Sequence, residues 1–261
     1  MITYTVSKDE ALKAIEGKEL DLAVNSLVRV KPIRNAHQTQ RIVYRVTTPG
    51  EDPAQFLVSD STQQVKKIDA ETAEVIVTVA TLPNGRKKVV TDRKYSQPTR
   101  FLQSNDDRVQ EMARRASAGE THPSRIAGRM EQYVHRKLTN KNFSTALASA
   151  AEVAKNLEGD CTEHAVLLAA MLRAENIPSR IAVGVVYVER ESAFGGHMWT
   201  EAWLDGRWIP LDATLGQRGI GAGHIKLAVS GFDDDGPAPI TSFLPLVKIL
   251  GKMKIEVVEV E

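Results

Sequence analysis

The spacing of apolar residues changes period once along this 261-residue chain. Before about residue 105 the pattern alternates. In Arg41 to Thr48 (RIVYRVTT), Ile42, Tyr44 and Val46 fall on one face and Val43 and Arg45 on the other, which predicts a strand. The β-branched run Glu74 to Leu82 predicts a second strand, and Pro83-Asn84-Gly85 predicts a turn into a third over Lys87 to Thr91. From Asn105 the period becomes helical. Asp106 or Asp107 caps a helix running to about Ala118. A second opens at Pro123 with Ile126, Met130, Tyr133, Val134 and Leu138 at three-to-four spacing, and a third covers roughly 147–156. The expected organisation is a β-rich N-terminal region over 1–105 and a catalytic core over 106–261.

The second half holds the most informative patterns. Ala165 to Ala174 is apolar on nearly all sides and predicts a helix buried inside a domain, capped at its start by Asp160. Ile181 to Val188 is apolar on both faces and predicts a central strand. His197 to Leu204, then Asp205-Gly206, then Arg207 to Thr214 predicts a hairpin with a two-residue turn. With Asp205 and Gly206 as the loop, Leu204 pairs with Arg207, Trp199 opposes Asp212 and His197 opposes Thr214. His197 and Asp212 then become diagonal neighbours on one face, with Cβ atoms about 6–8 Å apart.

Composition narrows the function by exclusion. Thirty-four basic and 33 acidic residues leave a formal charge of +1, which gives no support to a nucleic-acid binder. The 42% hydrophobic content suffices for a sizeable core. No apolar stretch approaches the roughly 20 residues needed to cross a bilayer, so no integral membrane segment is expected. The first 20 residues contain no apolar signal core either, so no signal peptide is expected. The basic cluster Arg86, Lys87, Lys88, Arg93 and Lys94 reads as the solvated side of the N-terminal hairpin. The stretch from Gly219 to Gly223 reads as a flexible loop, because it lacks the lysine and hydroxyl residue of a phosphate loop. Asp233-Asp234-Asp235-Gly236 reads as a turn, and His37, His122 and His135 as isolated surface or packing residues.

One cysteine remains. Cys161 allows no intramolecular disulfide and no multi-cysteine zinc site. It falls in the first turn of the buried helix, where backbone N–H groups and the helix dipole stabilise an anion and hence the attacking thiolate. Gly159 permits the sharp turn that leads into that helix. On position alone, a buried structural thiol and a nucleophile fit equally well. A carboxylate that orients an imidazole beside such a cysteine favours the nucleophile: His197 as base and Asp212 as its orienter. Trp199, Gly196 and Glu163 are candidates for the substrate cleft, and His224 for structural support near the site. A zinc reading through Cys161, His164 and His197 lacks a fourth ligand, so neither metal nor cofactor is expected.

Taken together, the blocks Gly159-Asp160-Cys161, Ile177-Pro178-Ser179-Arg180, His197-x-Trp199-x-Glu201 and Trp208 to Thr214 resemble the transglutaminase-like superfamily, bacterial type. The resemblance runs from about Asp106 to Leu227. It implies an α+β, papain-like fold in which a buried helix bearing the cysteine packs on an antiparallel sheet. It also implies a catalytic triad of Cys161, His197 and Asp212 acting on a protein or peptide substrate through a thioester. Hydrolysis of peptide or amide bonds is the favoured outcome. The alternatives are an amine-accepting, cross-linking transglutaminase and a binding or scaffold module with a vestigial site. The calcium-binding loops of animal transglutaminases are not recognisable. The resemblance points to an extracytoplasmic location and leaves the cytoplasm open. It is silent on oligomeric state.

Overall fold

A computed structural model describes residues 27–85, 90–140, 147–249 and 251–261. The predicted buried helix and the strands after it form the centre of the molecule. Helix α1 (Asp107–Ser117), α2 (Pro123–Lys137) and α3 (Ala150–Asn156) pack around α4 (Cys161–Ala174), whose middle residues from Ala165 to Leu172 are all buried. A helix apolar all round can satisfy its whole surface only by being enclosed, and this one has helices on one side and a sheet on the other. Arg173 anchors its last turn by donating to the carbonyls of Gln97, Ser179 and Gly231.

Among the described residues, ten strands precede the last helix: β1 (Val28–Arg29), β2 (Arg41–Thr47), β3 (Gln63–Lys67), β4 (Thr72–Thr78), β5 (Ala80–Thr81), β6 (Ser179–Val188), β7 (Ala193–Leu204), β8 (Arg207–Leu211), β9 (Gly219–Ile220) and β10 (His224–Ser230). Helix α5 (Leu244–Ile249) and strand β11 (Lys254–Val260) close the chain. The central antiparallel sheet runs β1-β7-β6-β10, and β8 shares the outer edge of β7 with β1. The β7–β8 ladder has the predicted register, Leu204 opposite Arg207 through Thr200 opposite Leu211, and Asp205 and Gly206 both take positive φ in the turn. The mixture of helices with antiparallel sheet is the expected α+β class.

The N-terminal half behaves as its alternation predicts where β2 is concerned: Ile42, Tyr44 and Val46 are fully buried and Arg45 is exposed. Its sheet runs β11-β2-β4-β3. Strand pairing crosses residue 105 in both directions, because β11 completes the N-terminal sheet and β1 joins the central one. The second predicted strand starts earlier than expected and breaks at Val79. The short β5 beyond the break pairs with β9. Residues 86–89 of the expected return strand, and with them Arg86, Lys87 and Lys88, lie outside the described residues. Arg93 and Lys94 sit in a 3-10 turn. The glycine-rich segment 219–223 is also unlike its expectation: it is buried and partly strand, because it threads between β5 and the loop at His37.

Buried ionisable side chains stand out at two places in this arrangement. Glu201, fully buried on β7, receives both Arg180 from β6 and Lys226 from β10, and Lys226 also reaches Asp60 at 2.5 Å. Two cations thus meet two carboxylates, and Asp60 ties the N-terminal part to the central sheet. A buried pair of this kind holds geometry, while losing one partner costs about 3–5 kcal/mol. The second case is Glu131 on α2, fully buried, with no hydrogen-bond partner of good geometry for either carboxyl oxygen. It faces the backbone N–H groups of Asp212, Arg218 and Gly219. Burial, reinforced by the charge of Asp212, pushes its carboxyl up to about 8.

A carboxyl raised in the folded state favours folding only while protonated. Its penalty is absent below its ordinary value, grows as pH rises, and is complete near pH 8. The stability of Glu131→Gln relative to the parent should therefore increase by about 2–4 kcal/mol between pH 4.5 and 8 in urea denaturation. A pH-independent difference between the two proteins would contradict this environment for Glu131.

Candidate active site

Asp160 starts α4 by accepting from the backbone N–H of Thr162 at 2.8 Å and its hydroxyl at 2.9 Å. Glu163 answers from the third position: its carboxylate accepts from the N–H of Asp160 and from that of Ala148, both at 3.0 Å. This capping box holds the entry turn to α4 and ties it to the segment before α3. Gly159 has φ of +144°, and a Cβ there would run into the Glu163 side chain, so only glycine fits. Burial, the largest influence, raises the Glu163 carboxyl above its ordinary value. The turn presents Cys161 as the first helical residue, half-buried, at the positive end of the helix dipole.

His197 comes to the thiol from β7. Its Nε2 donates to Asp212 Oδ2 at 2.8 Å, and the Cys161 sulfur is near enough to the ring to raise its basicity. With Nε2 committed to Asp212, Nδ1 is the nitrogen left for the sulfur. Asp212 directly follows β8, as the hairpin register requires, and is almost completely buried. Its Oδ1 accepts from the N–H groups of Thr214 at 2.9 Å and Leu215 at 3.3 Å, which orients Oδ2 toward the rings. Cys161, His197 and Asp212 are thus brought into one cluster, in which the half-buried thiol is the member with solvent access.

A second histidine enters from β10. His224 Nε2 donates to the same Asp212 Oδ2 at 3.0 Å, and its Nδ1 has no partner. The two imidazoles differ in charge. Burial works against the His197 imidazolium, yet the charges of Asp212 and the Cys161 sulfur outweigh it and raise His197 to about 10. Burial wins at His224, which falls to about 4 despite Asp212. Asp212 is held well below the usual carboxylate range: burial opposes ionisation, and the adjoining His197 charge overcomes it. At neutral pH the site therefore carries one carboxylate, one imidazolium and one neutral imidazole.

The remaining candidates fall around this cluster. The Trp199 indole stacks against His197 with ring centroids 6.2 Å apart and meets His224 edge-on at 5.3 Å. Gly196 is exposed beside His197, and Leu246 of α5 lies where a larger residue would project, 3.0 Å from a Cβ placed there. His164 turns away from the thiol: its Nδ1 meets the Asp160 carbonyl at 2.6 Å, and burial lowers its basicity. The histidines read as isolated are not all remote. His135 Nδ1 donates to the Ala213 carbonyl at 3.0 Å, and the His37 ring lies 5.6 Å from that of His224. Among the described residues, the cluster able to ligate a metal is His197, Asp212 and His224, with ligand atoms within 4.8 Å of one another. Hydrogen bonds already join these groups, and a cation would have to displace their protons. The bond from His224 to Asp212 was not deducible from spacing, because eleven residues of loop and short strand separate the two. Two adjacent imidazoles of opposite charge state are visible only in three dimensions.

Residues 110–213 match the sequence profile of the transglutaminase-like superfamily, a span that includes Cys161, His197 and Asp212. No curated protein matches the sequence. Among solved structures, a candidate cysteine protease from Cytophaga hutchinsonii is similar over 85% of this chain and 86% of its own, at 17% identity and a TM-score of 0.53. The periplasmic domain of TgpA from Pseudomonas aeruginosa, bound to ethylmercury, aligns over 75% of this chain and 94% of its own, at 14% identity and a TM-score of 0.44. Profile and fold agree: residues 110–213 are similar to the transglutaminase-like superfamily, and the α+β fold is shared with the Cytophaga hutchinsonii protein.

Proposed function

We propose that the protein is a cysteine-dependent acyl-transfer enzyme that hydrolyses peptide or amide bonds. The observation that carries this reading is the half-buried Cys161 beside His197, whose ring is hydrogen-bonded to the buried Asp212. In the first step the Cys161 sulfur attacks the substrate carbonyl carbon and the C–N bond breaks. His197 Nδ1 gives its proton to the departing amine, and a thioester remains on sulfur. In the second step His197 takes a proton from water, the resulting hydroxide oxygen adds to the thioester carbon, and the carboxylic acid leaves as the thiol is restored. Asp212 keeps its proton count throughout and holds the imidazolium in place. The backbone N–H of Cys161 is the nearest donor for the oxyanion.

Trp199 fits this scheme as a wall that shields the His197–Asp212 bond from water. No helix among the described residues is long and apolar enough to cross a membrane.

Labelling with peptidyl electrophiles, read by mass spectrometry, identifies the reactive residue and a usable substrate together. Cys161→Ala should abolish turnover with the fold intact. Asp212→Asn should reduce kcat/KM by up to about 10⁴-fold, the loss seen for the corresponding change in a serine-protease triad. An amine-dependent product would replace hydrolysis with transamidation as the activity. An unreactive Cys161 would leave only a binding role.

The raised His197 sets the pH dependence. An imidazolium held to about 10 remains protonated across neutral pH, so kcat/KM should hold to about pH 9 and fall as the pH passes 10. Asp212→Asn removes the main stabilising charge and should move that fall to lower pH; an unmoved alkaline limb would contradict the pairing. His224→Ala removes one of two donors to the carboxylate oxygen. It should cost about 10–100-fold in kcat/KM while alkylation of Cys161 persists. Unchanged kinetics would show that His224 has no part in placing Asp212.

A further inference from the structure

A cavity of about 730 Å³ opens on the side of α2, bounded by residues 82–84 and by Arg218. No proposed catalytic residue lines it. Three guanidinium-bearing residues converge there: Arg125 and Arg129 from α2, and Arg218 from the loop after Asp212. Glu120 is the carboxylate paired with them among the described residues, and it stands off at 3.8 Å from Arg125 and 3.7 Å from Arg129. Arg218 has no carboxylate partner among the described residues. Its backbone adopts φ of +61°, unusual for an arginine. An adjoining cavity of about 380 Å³ shares Arg129 and Arg218 and adds Arg136, also without a carboxylate partner among the described residues. Arginines on a convex face can spread into water. Here they share a concave surface that focuses positive potential.

The backbone adds to this field. The 15-residue α2 begins at Pro123 with no side chain capping its first turn, and Ser124 lines the cavity. Pro123 has no N–H and those of Arg125 and Ile126 bond the His122 carbonyl, so the Ser124 N–H and the helix dipole are what favour negative charge at this end. Independently, His122 lines the same cavity while nine-tenths buried. Its Nε2 donates to the Asn84 carbonyl at 3.1 Å and its Nδ1 has no partner. With Nε2 donating, this buried Nδ1 is an acceptor, and beside converging guanidiniums it is a vacancy for a ligand hydroxyl such as that of a monoprotonated phosphate.

We propose that this cavity binds a multiply charged anion through phosphate or carboxylate groups, at a site separate from Cys161. The cavity has the size of a small-ligand site, and two connected chambers fit an anion with at least two charged groups. Guanidinium forks and the Ser124 N–H are the donors that such oxygens require.

Isothermal titration of the full chain with pyrophosphate, and separately with a hexaglutamate peptide, tests the site. At least one probe should bind saturably, and more weakly as salt rises. Arg125→Gln and Arg218→Gln should each weaken binding about tenfold or more. Arg108→Gln, on the exposed side of α1, should leave binding unchanged, as should Cys161→Ala. Tighter pyrophosphate identifies a free polyanion as the ligand; a tighter peptide identifies an acidic segment. Circular dichroism on each variant separates lost binding from lost folding. Absence of saturable binding by both probes, or equal binding by folded Arg125→Gln and Arg218→Gln, would overturn the proposal.

Discussion

The Asp212 carboxylate is the point on which the candidate site turns. It sits almost out of reach of solvent, yet remains charged because one oxygen receives two imidazoles and the other two backbone N–H groups. Removing a lone carboxylate from water costs several kcal/mol, and only such a set of donors offsets it. The consequence passes outward. A fixed negative charge beneath His197 keeps that ring protonated, and the protonated ring lies beside the half-buried sulfur. Packing below the carboxylate follows the same logic: Glu131, close to Asp212 in the core, is driven toward its neutral form by burial, and the charge of Asp212 adds to that push.

Much of this arrangement was legible in the sequence because it depends on local periodicity. The Asp205-Gly206 turn fixed the β7–β8 register, and a side-chain period of two then placed His197 and Asp212 on one face. The apolar run after Cys161 announced an enclosed helix, and Asp160 marked its start. What escaped depends on contacts between distant segments. His224 reaches Asp212 only because β10 pairs with β6 across the sheet, with His224 opposite Val186. The glycine-rich stretch 219–223 carries no signal that it will be buried between β5 and the His37 loop. Strand β11 adds to a sheet that begins more than 200 residues earlier, which no local pattern announces.

Charge pairing explains why the two sheets act together. Asp60 extends from the N-terminal part to Lys226, and Lys226 to Glu201, which shares the strand of His197. Tyr44 adds a hydrogen bond from β2 to the Ala222 carbonyl and packs edge-on against Phe194 of β7. The strand carrying the imidazole is therefore held from both sides. Glu201 recurs in the same sequence block as His197 and Trp199, but its partners give it a bracing role with no route to proton transfer. The arginine-lined cavity on α2 lies outside this frame, which allows it to be occupied without disturbing the thiol.

The account depends most on the different charge states of two imidazoles that share one carboxylate oxygen. Nitrogen-15 NMR of histidine-labelled protein reads both rings directly as pH is varied. The account predicts His197 as an imidazolium through neutral pH, losing its proton near 10, and His224 neutral until the pH falls toward 4. In Asp212→Asn the His197 transition should move to clearly lower pH. A His197 ring that is neutral at pH 7 in the parent protein, or that titrates alike with and without the Asp212 carboxylate, would contradict it.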